Sequence, residues 1–211
     1  MTKKAYTEQE ETIARFAKAM GHPARMAILR FLAAHRERLP GQRFAINLAP
    51  STVCRVQFPL EVSRLLAKYA IEPWQLIFEV TECSTFCNAE QALHILRQLQ
   101  KMGVRIAIDD FGTGYSALSY LRSFPIDVVK IDRAFVRSIP EEKQECLLLD
   151  GIINLVNSLG MSLIIEGVET RDQLAYLQAR QCAFIQGYLF SKPLAFDDLV
   201  TYLQRVSTHP V

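Results

Sequence analysis

No apolar run in the 211-residue sequence approaches the roughly 20 residues needed to cross a bilayer. The charged N-terminus does not suit a signal peptide. No membrane segment is therefore expected, and the cytoplasm is the expected location. Cysteine is scarce: Cys54, Cys83, Cys87, Cys146 and Cys182 are scattered and odd in number. That argues against a disulfide framework and suits a reducing compartment. Cys83 and Cys87 form the only close pair, with His94 on the next expected helix. No second ligand pair accompanies them, so zinc is not the expected reading. Gly/Ser linkers, repeats and low-complexity segments are absent as well. Charge of one sign is also lacking, since 24 Lys/Arg against 22 Asp/Glu leave a net of +2. The balance is uneven, because residues 1–43 hold nine basic and four acidic residues, a net of +5, and the remainder has a net of −3. A solvated helix face accounts for that excess, and it is small for a nucleic-acid footprint. What is present is apolar: half the residues, which excludes disorder and suffices for one sizeable domain with a small appendage.

Residues 7–19 have the pattern of an amphipathic helix. Thr7 and Glu10 have capping-box spacing, and Ile13, Phe16, Ala17 and Met20 form its apolar stripe. Gly21-His22-Pro23 breaks the pattern, and Pro23 opens a second helix over 24–34. The stretch RFAKAMGHPARMAILRFLA resembles the first two helices of ArsR-type winged-helix regulators. It stops before the recognition helix and wing that read DNA, so DNA binding is not expected. Pro40-Gly41 marks the only boundary. The expected division is residues 1–34, a truncated winged-helix-like segment, and 35–211.

The central stretch is VRIAIDDFGTGYSALSYLRSFPIDVVKID, residues 104–132. An apolar run ends in Asp109 and Asp110, a glycine-containing turn and a helical stretch follow, and a second apolar run carries Lys130 and Asp132. Buried parallel strands read as continuous apolar runs, and an unpaired charge is too costly to bury within them. Charge is therefore expected where each strand leaves the core. Six such runs alternate with helices expected at 58–69, 88–102, 144–159 and 171–179, which predicts a parallel α/β sheet. They end at, or carry, Asn47, Glu79, Asp109, Lys130, Glu166 and Gln186. The intervals between these residues are 32, 30, 21, 36 and 20, about one βα unit each. In a (β/α)8 barrel such side chains meet at the C-terminal face, where barrels hold their active sites.

Asn47, Glu79, Asp109 and Asp110 are hard oxygen donors and suit Mg2+ or Mn2+. Crowded carboxylates raise each other's pKa unless a cation joins them. Two such ions activate water and stabilise a leaving oxygen in phosphodiester hydrolysis, with Lys130 holding the water or offsetting phosphate charge.

The motifs NLAPS (47–51), FEVTE (78–82), DDFGTGYSALSYL (109–121), VKID (129–132), EGVET (166–170) and QGYLFSKP (186–193) together resemble the EAL-domain cyclic di-GMP phosphodiesterases, over about residues 35–207. The resemblance implies a modified TIM barrel that hydrolyses cyclic di-GMP to pGpG with Mg2+ or Mn2+. It implies metal ligation by Asn47, Glu79 and Asp109, with Asp109 bridging two ions and Asp110 on the second. Lys130 matches the lysine that orients the attacking water, and Glu166 and Gln186 match polar residues around the metals. Glu169 matches the glutamate that anchors the loop Phe111, Gly112, Thr113, Gly114, Tyr115 and Ser116, which shapes a dimer interface. Tyr188 and Phe190 are candidates to stack on a base or to pack in the core.

The chain departs from the family at its start. Two βα units and the Glu-Ala-Leu signature are missing, and the signature glutamate is a metal ligand. The expectation is an incomplete barrel of six strand units with weakened metal binding and strongly reduced turnover. A non-catalytic module that binds cyclic di-GMP or a protein partner is the alternative. Open sheet edges beside 44–47 and 183–187 further predict cover by the N-terminal helices or a homodimer.

Overall fold

The computed structural model describes residues 43–81, 89–112 and 121–208, with side chains described as far as Leu203. The helices expected at 7–19 and 24–34, with whatever they cover, lie outside the described residues. So do Thr113, Gly114, Tyr115 and Ser116 of the expected loop, and the Cys83/Cys87 pair.

Six strands form one sheet in chain order: β1 (Phe44–Asn47), β2 (Leu76–Thr81), β3 (Arg105–Phe111), β4 (Val128–Ile131), β5 (Ser162–Ile165) and β6 (Phe184–Ile185). Every neighbouring pair is parallel. Parallel strands need long crossovers, and helices supply most of them: α1 (Pro50–Val53), α2 (Phe58–Tyr69), α3 (Ala89–Lys101), α4 (Lys143–Ser158) and α5 (Arg171–Gln178). A last helix, α6 (Phe196–Thr208), follows β6. The result is the expected α/β, TIM-barrel-like fold, with six strands of a curled half-barrel among the described residues. No described helix is long and apolar enough to cross a membrane.

The helices form for ordinary reasons. In α2, Phe58, Val62 and Leu66 recur every four residues, Pro59 sits in the first turn, and the helix stops at Ala70 in the left-handed region. In α3, Ala92, Ile95, Leu96 and Leu99 make one buried stripe. Burying each of its larger side chains stabilises by about 1.5–3 kcal/mol. Gly103 ends that segment at a φ of 95°, which a side-chain-bearing residue rarely adopts.

The register sorts the strand residues onto two faces. Phe78 pairs with Ile106, and Val80, Ile108, Val129 and Leu163 form the next row on the same face. All six are buried apolar side chains of the core. The rows between them carry Asn47, Glu79, Val128 and Ser162, and further along Lys130 and Ile164. That second face is the concave one, and its carboxylates gather with Lys130 toward the C-terminal ends of the strands.

Three expectations about the elements need correction. β3 continues through Phe111, so Asp109 and Asp110 lie within the strand rather than just beyond it. Glu79 also lies inside its strand, Lys130 lies within β4 as expected, and both are buried. Charge is tolerated there because the two pair with each other. Helices α1 and α6 were not foreseen: α1 is only four residues long, and α6 follows the last strand, outside the alternation of runs and helices. Asp127 fixes the β3–β4 register from the other end: its carboxylate accepts from the Ile106 amide at 2.8 Å, and its own amide donates to the Ile106 carbonyl at 2.9 Å.

Candidate active site

Lys130, the third residue of β4, is 7 % exposed. Its Nζ lies 2.8 Å from Glu79 Oε1, 2.8 Å from Asp109 Oδ1 and 2.8 Å from Glu166 Oε1. These carboxylates come from β2, from β3 and from the residue after β5. Neighbouring strands run about 4.8 Å apart, so in a flat sheet β2 and β4 lie about 10 Å apart. Curling the sheet toward this face closes the gap and gathers the side-chain tips. The expected convergence of Glu79, Asp109, Lys130 and Glu166 is therefore present.

A break in register sets this geometry. β3 and β4 pair Ala107 with Val128 and Ile108 with Val129, then Phe111 with Ile131. Asp109 and Asp110 thus stand opposite the single residue Lys130. Such a bulge re-aims side chains and recurs beside active sites. Asp110 takes a φ of 54°, a left-handed conformation that Asp tolerates better than most residues. Past the bulge, Gly112 has a φ of 93°, and a Cβ there would lie 2.5 Å from Phe135 Cζ. Glycine is required at that turn.

Burial and charge oppose each other in the cluster. Burial pushes the Glu79 carboxyl above its ordinary pKa, and the Lys130 ammonium only partly offsets this, with Asp109 and Glu166 adding to the rise. Burial acts to lower the Lys130 ammonium, but hydrogen bonds to Asp109, Glu166 and Glu79 outweigh it and raise its pKa. The lysine is thus firmly protonated, and the Glu79 carboxyl is held above its ordinary range. Asp110 is also raised, by its own desolvation and by Asp109 and Asp132.

The other expected residues surround this centre. Asn47 ends β1, paired in register with Glu79 and exposed. Gln186 is exposed just after β6, and its amide donates to the Ile165 carbonyl at 2.8 Å. Phe111 is buried at the end of β3. Glu169 is exposed, and its backbone amide donates to Gln173 Oε1 at 2.8 Å. His94 is exposed and pairs with Gln98.

Gln173, in the first turn of α5, is a positioning residue not singled out from sequence. It is buried, accepts from the Glu169 and Thr170 amides, and donates to the Val136 carbonyl at 3.0 Å. It ties the loop carrying Glu166 to the turn after β4. The Thr170-x-x-Gln173 capping box was the signal that could have found it.

Residues 8–193 match the family model described as the EAL domain. The chain belongs to the EAL-domain family. The match runs into the first 34 residues, whose resemblance to winged-helix regulators has no support among these matches. The cyclic di-GMP phosphodiesterase PdeF of Escherichia coli K12 is 41 % identical over 178 residues, 84 % of this chain and 24 % of PdeF. The chain thus spans about a quarter of that relative's length. The PaMucR phosphodiesterase of Pseudomonas aeruginosa, solved as a c-di-GMP complex, is 34 % identical with a TM-score of 0.76, covering 84 % of this chain and 79 % of that one. Klebsiella pneumoniae BlrP1, solved as a manganese and cyclic di-GMP complex, is 30 % identical with a TM-score of 0.73, covering 86 % and 48 %.

EAL domains are metal-dependent, and the donors here fit a divalent ion chemically. Glu79 and Asp109 each place an oxygen 2.8 Å from one nitrogen, so those two oxygens are at most twice that distance apart. Among the described residues, however, no group of three or more His, Cys, Asp or Glu side chains is arranged to hold a metal ion. The carboxylates point at the Lys130 ammonium, and the sequence lacks the signature glutamate.

Proposed function

We propose that this chain is an EAL-type cyclic di-GMP domain. By descent its chemistry is metal-dependent hydrolysis of cyclic di-GMP to pGpG, and the missing glutamate impairs it. The observation that carries the reading is the meeting of Glu79, Asp109 and Glu166 at Lys130, from three strands and the loop after β5.

Asn47, Glu79, Asp109 and Asp110 would hold Mg2+ or Mn2+ in a two-metal site left incomplete. When bound, such ions supply a water acidified toward neutral pH and charge neutralisation at the phosphate. Lys130 then positions the attacking water and offsets phosphate charge from the floor of the site. Glu166 holds Lys130 in place, and Gln186 offers an amide at the rim. Glu169 and the loop Phe111, Gly112, Thr113, Gly114, Tyr115 and Ser116 couple the site to a homodimer interface.

A second reading is a non-catalytic module that binds cyclic di-GMP or a protein partner. The same lysine favours it, since one ammonium satisfies three carboxylates that a metal would otherwise need. In either reading the domain comprises residues 35–211, with 1–34 a helical appendage, and acts in bacterial signalling in the cytoplasm, without binding DNA.

Calorimetry with cyclic di-GMP and Mn2+, followed by chromatography for pGpG, tests the proposal. Binding with slow product formation abolished by Asp109→Asn supports the impaired enzyme. Binding without product supports the receptor. Absence of any cyclic di-GMP binding overturns the enzyme and the cyclic di-GMP receptor, and leaves only the protein-partner module.

A further inference from the structure

The concave face has a second polar cluster at its other end. A cavity of about 410 Å³ opens among the N-terminal ends of the strands. Arg43, Arg105 and Ser162 contribute its polar groups, and Trp74 and Phe184 its rings, over an aliphatic floor that includes Ile164. Arg105 lies four residues before Asp109 on β3, and Ser162 four before Glu166. At about 3.3 Å per residue the cavity is about 13 Å from the carboxylate cluster. It is a separate site at the opposite mouth.

Its chemistry is specific. Two guanidinium groups line it, and none of its described lining residues is acidic. One nitrogen of Arg105 donates to Ser162 Oγ at 3.1 Å, which holds the guanidinium in place across the sheet. Trp74 is 42 % exposed and Phe184 55 % exposed, so two large rings present surface to the cavity instead of packing in the core. The volume is that of a small-molecule site rather than of a protein-docking groove. Arginine forks recognise carboxylate and phosphate oxygens, and exposed rings stack on flat aromatic groups.

We propose that this mouth binds a planar aromatic ring carrying an anionic group, with Arg43 and Arg105 on the anion and Trp74 and Phe184 on the ring. The site is independent of the proposed hydrolysis and uses none of its residues. Both nucleoside phosphates and simple aromatic acids have this chemistry.

Trp74 is the only tryptophan in the chain, so its fluorescence reports on this cavity alone. The 211-residue chain is titrated with adenosine 5′-monophosphate, with 1-naphthoate, and with adenosine and inorganic phosphate as single-feature probes. Saturable change with either aromatic anion is expected, and which binds more tightly assigns the source. Adenosine or phosphate alone should bind at least about tenfold more weakly, the loss of one good contact. Arg105→Gln should weaken the anions about tenfold and leave adenosine unchanged. Because Arg105 pairs with Ser162, Arg43→Gln at an exposed position provides the same reading without disturbing the sheet. Absence of saturable change up to millimolar ligand overturns the proposal. So does binding that both arginine variants leave intact, or a Trp74 that becomes shielded from acrylamide as protein concentration rises.

Discussion

Lys130 and Glu79 face each other from strands two places apart in the sheet, 2.8 Å between Nζ and Oε1, and both are buried. Each makes the other's burial tolerable. Replacing Lys130 by Met, close in length but neutral, leaves Glu79 with no cation beside it. Removing one member of a buried pair costs about 3–5 kcal/mol. Lys130→Met should therefore be destabilised by that order near neutral pH. Glu79 already has a raised native pKa, so its contribution is fully present below its ordinary value of 4.5 and is lost as pH rises through the native value. Losing Lys130 raises it further. The penalty should shrink on acidification, and urea melts at two pH values check it. An equal cost in mild acid and mild alkali would show that the pair is not what sets it.

The strands were legible because each is a short apolar run bounded by helix patterns, and a buried parallel sheet needs that pattern. Glu79, Asp109, Lys130 and Glu166 stood out because each charge interrupts or follows such a run. Their mutual pairing was less visible. Glu79 was expected at a strand's exit, whereas it sits within β2, its charge balanced by Lys130, distant in the chain. The bulge between Ile108 and Phe111 was hidden because two adjacent aspartates do not reveal which of them leaves the ladder. Asp127 was missed because its partner is a backbone group of another strand, and for Gln173 the local capping box marks the helix start but not the distant tie to the Val136 carbonyl.

Gly187 lies where β6 leaves the sheet, and a Cβ there would sit 2.0 Å from the Val168 carbonyl oxygen. The approach is held by Val168 N–H donating to the Gln186 carbonyl at 3.1 Å, and Leu189 N–H to the Val168 carbonyl at 3.1 Å. Backbone on both sides leaves no flexible side chain to yield. Gly187→Ala should lose about 2–4 kcal/mol, the range for overpacking and broken backbone hydrogen bonds. Because Gln186 is adjacent, its position should shift as well. Thermal melts check the first effect, and amide exchange at Gln186 and Val168 the second. A variant as stable as the parent would mean the two segments can part freely.

Asp150 of α4 pairs with Arg180, which also lies 3.3 Å from the centroid of the Tyr176 ring. The hydrogen bonds from Arg180 hold the Asp150 carboxyl below its ordinary range, with Tyr176 assisting against desolvation. A lowered native pKa contributes stability above the unfolded value, here 3.8, and that stability disappears as pH falls through the native value. The two side chains are 29 % and 30 % exposed, so solvent screens the pair. Asp150→Asn should cost about 0.5–1 kcal/mol at neutral pH, with salt reducing the difference. Parent and variant should converge in strong acid. Divergence that grows on acidification would contradict the assignment.

Gln173 is 6 % exposed and uses both ends of its amide. Its oxygen accepts from Glu169 N–H at 2.8 Å and Thr170 N–H at 3.1 Å, and its nitrogen donates to the Val136 carbonyl at 3.0 Å. Gln173→Ala strands those three backbone groups, and each unsatisfied buried group costs about 1–3 kcal/mol. Water entering the gap will recover part of that, so a loss of about 2–4 kcal/mol is expected. Gln173→Glu retains the two accepting contacts but places a carboxylate oxygen against the Val136 carbonyl. It should stabilise the loop start at Thr170 while detaching it from the turn after β4. The two variants therefore separate the cap from the tether: α5 helicity should survive in Gln173→Glu, yet Glu166 should lose its fixed position beside Lys130. Amide exchange at Thr170 and at Glu166 reads the two effects independently. If Gln173→Glu left Glu166 as protected as in the parent, the tether to Val136 would not be what positions it.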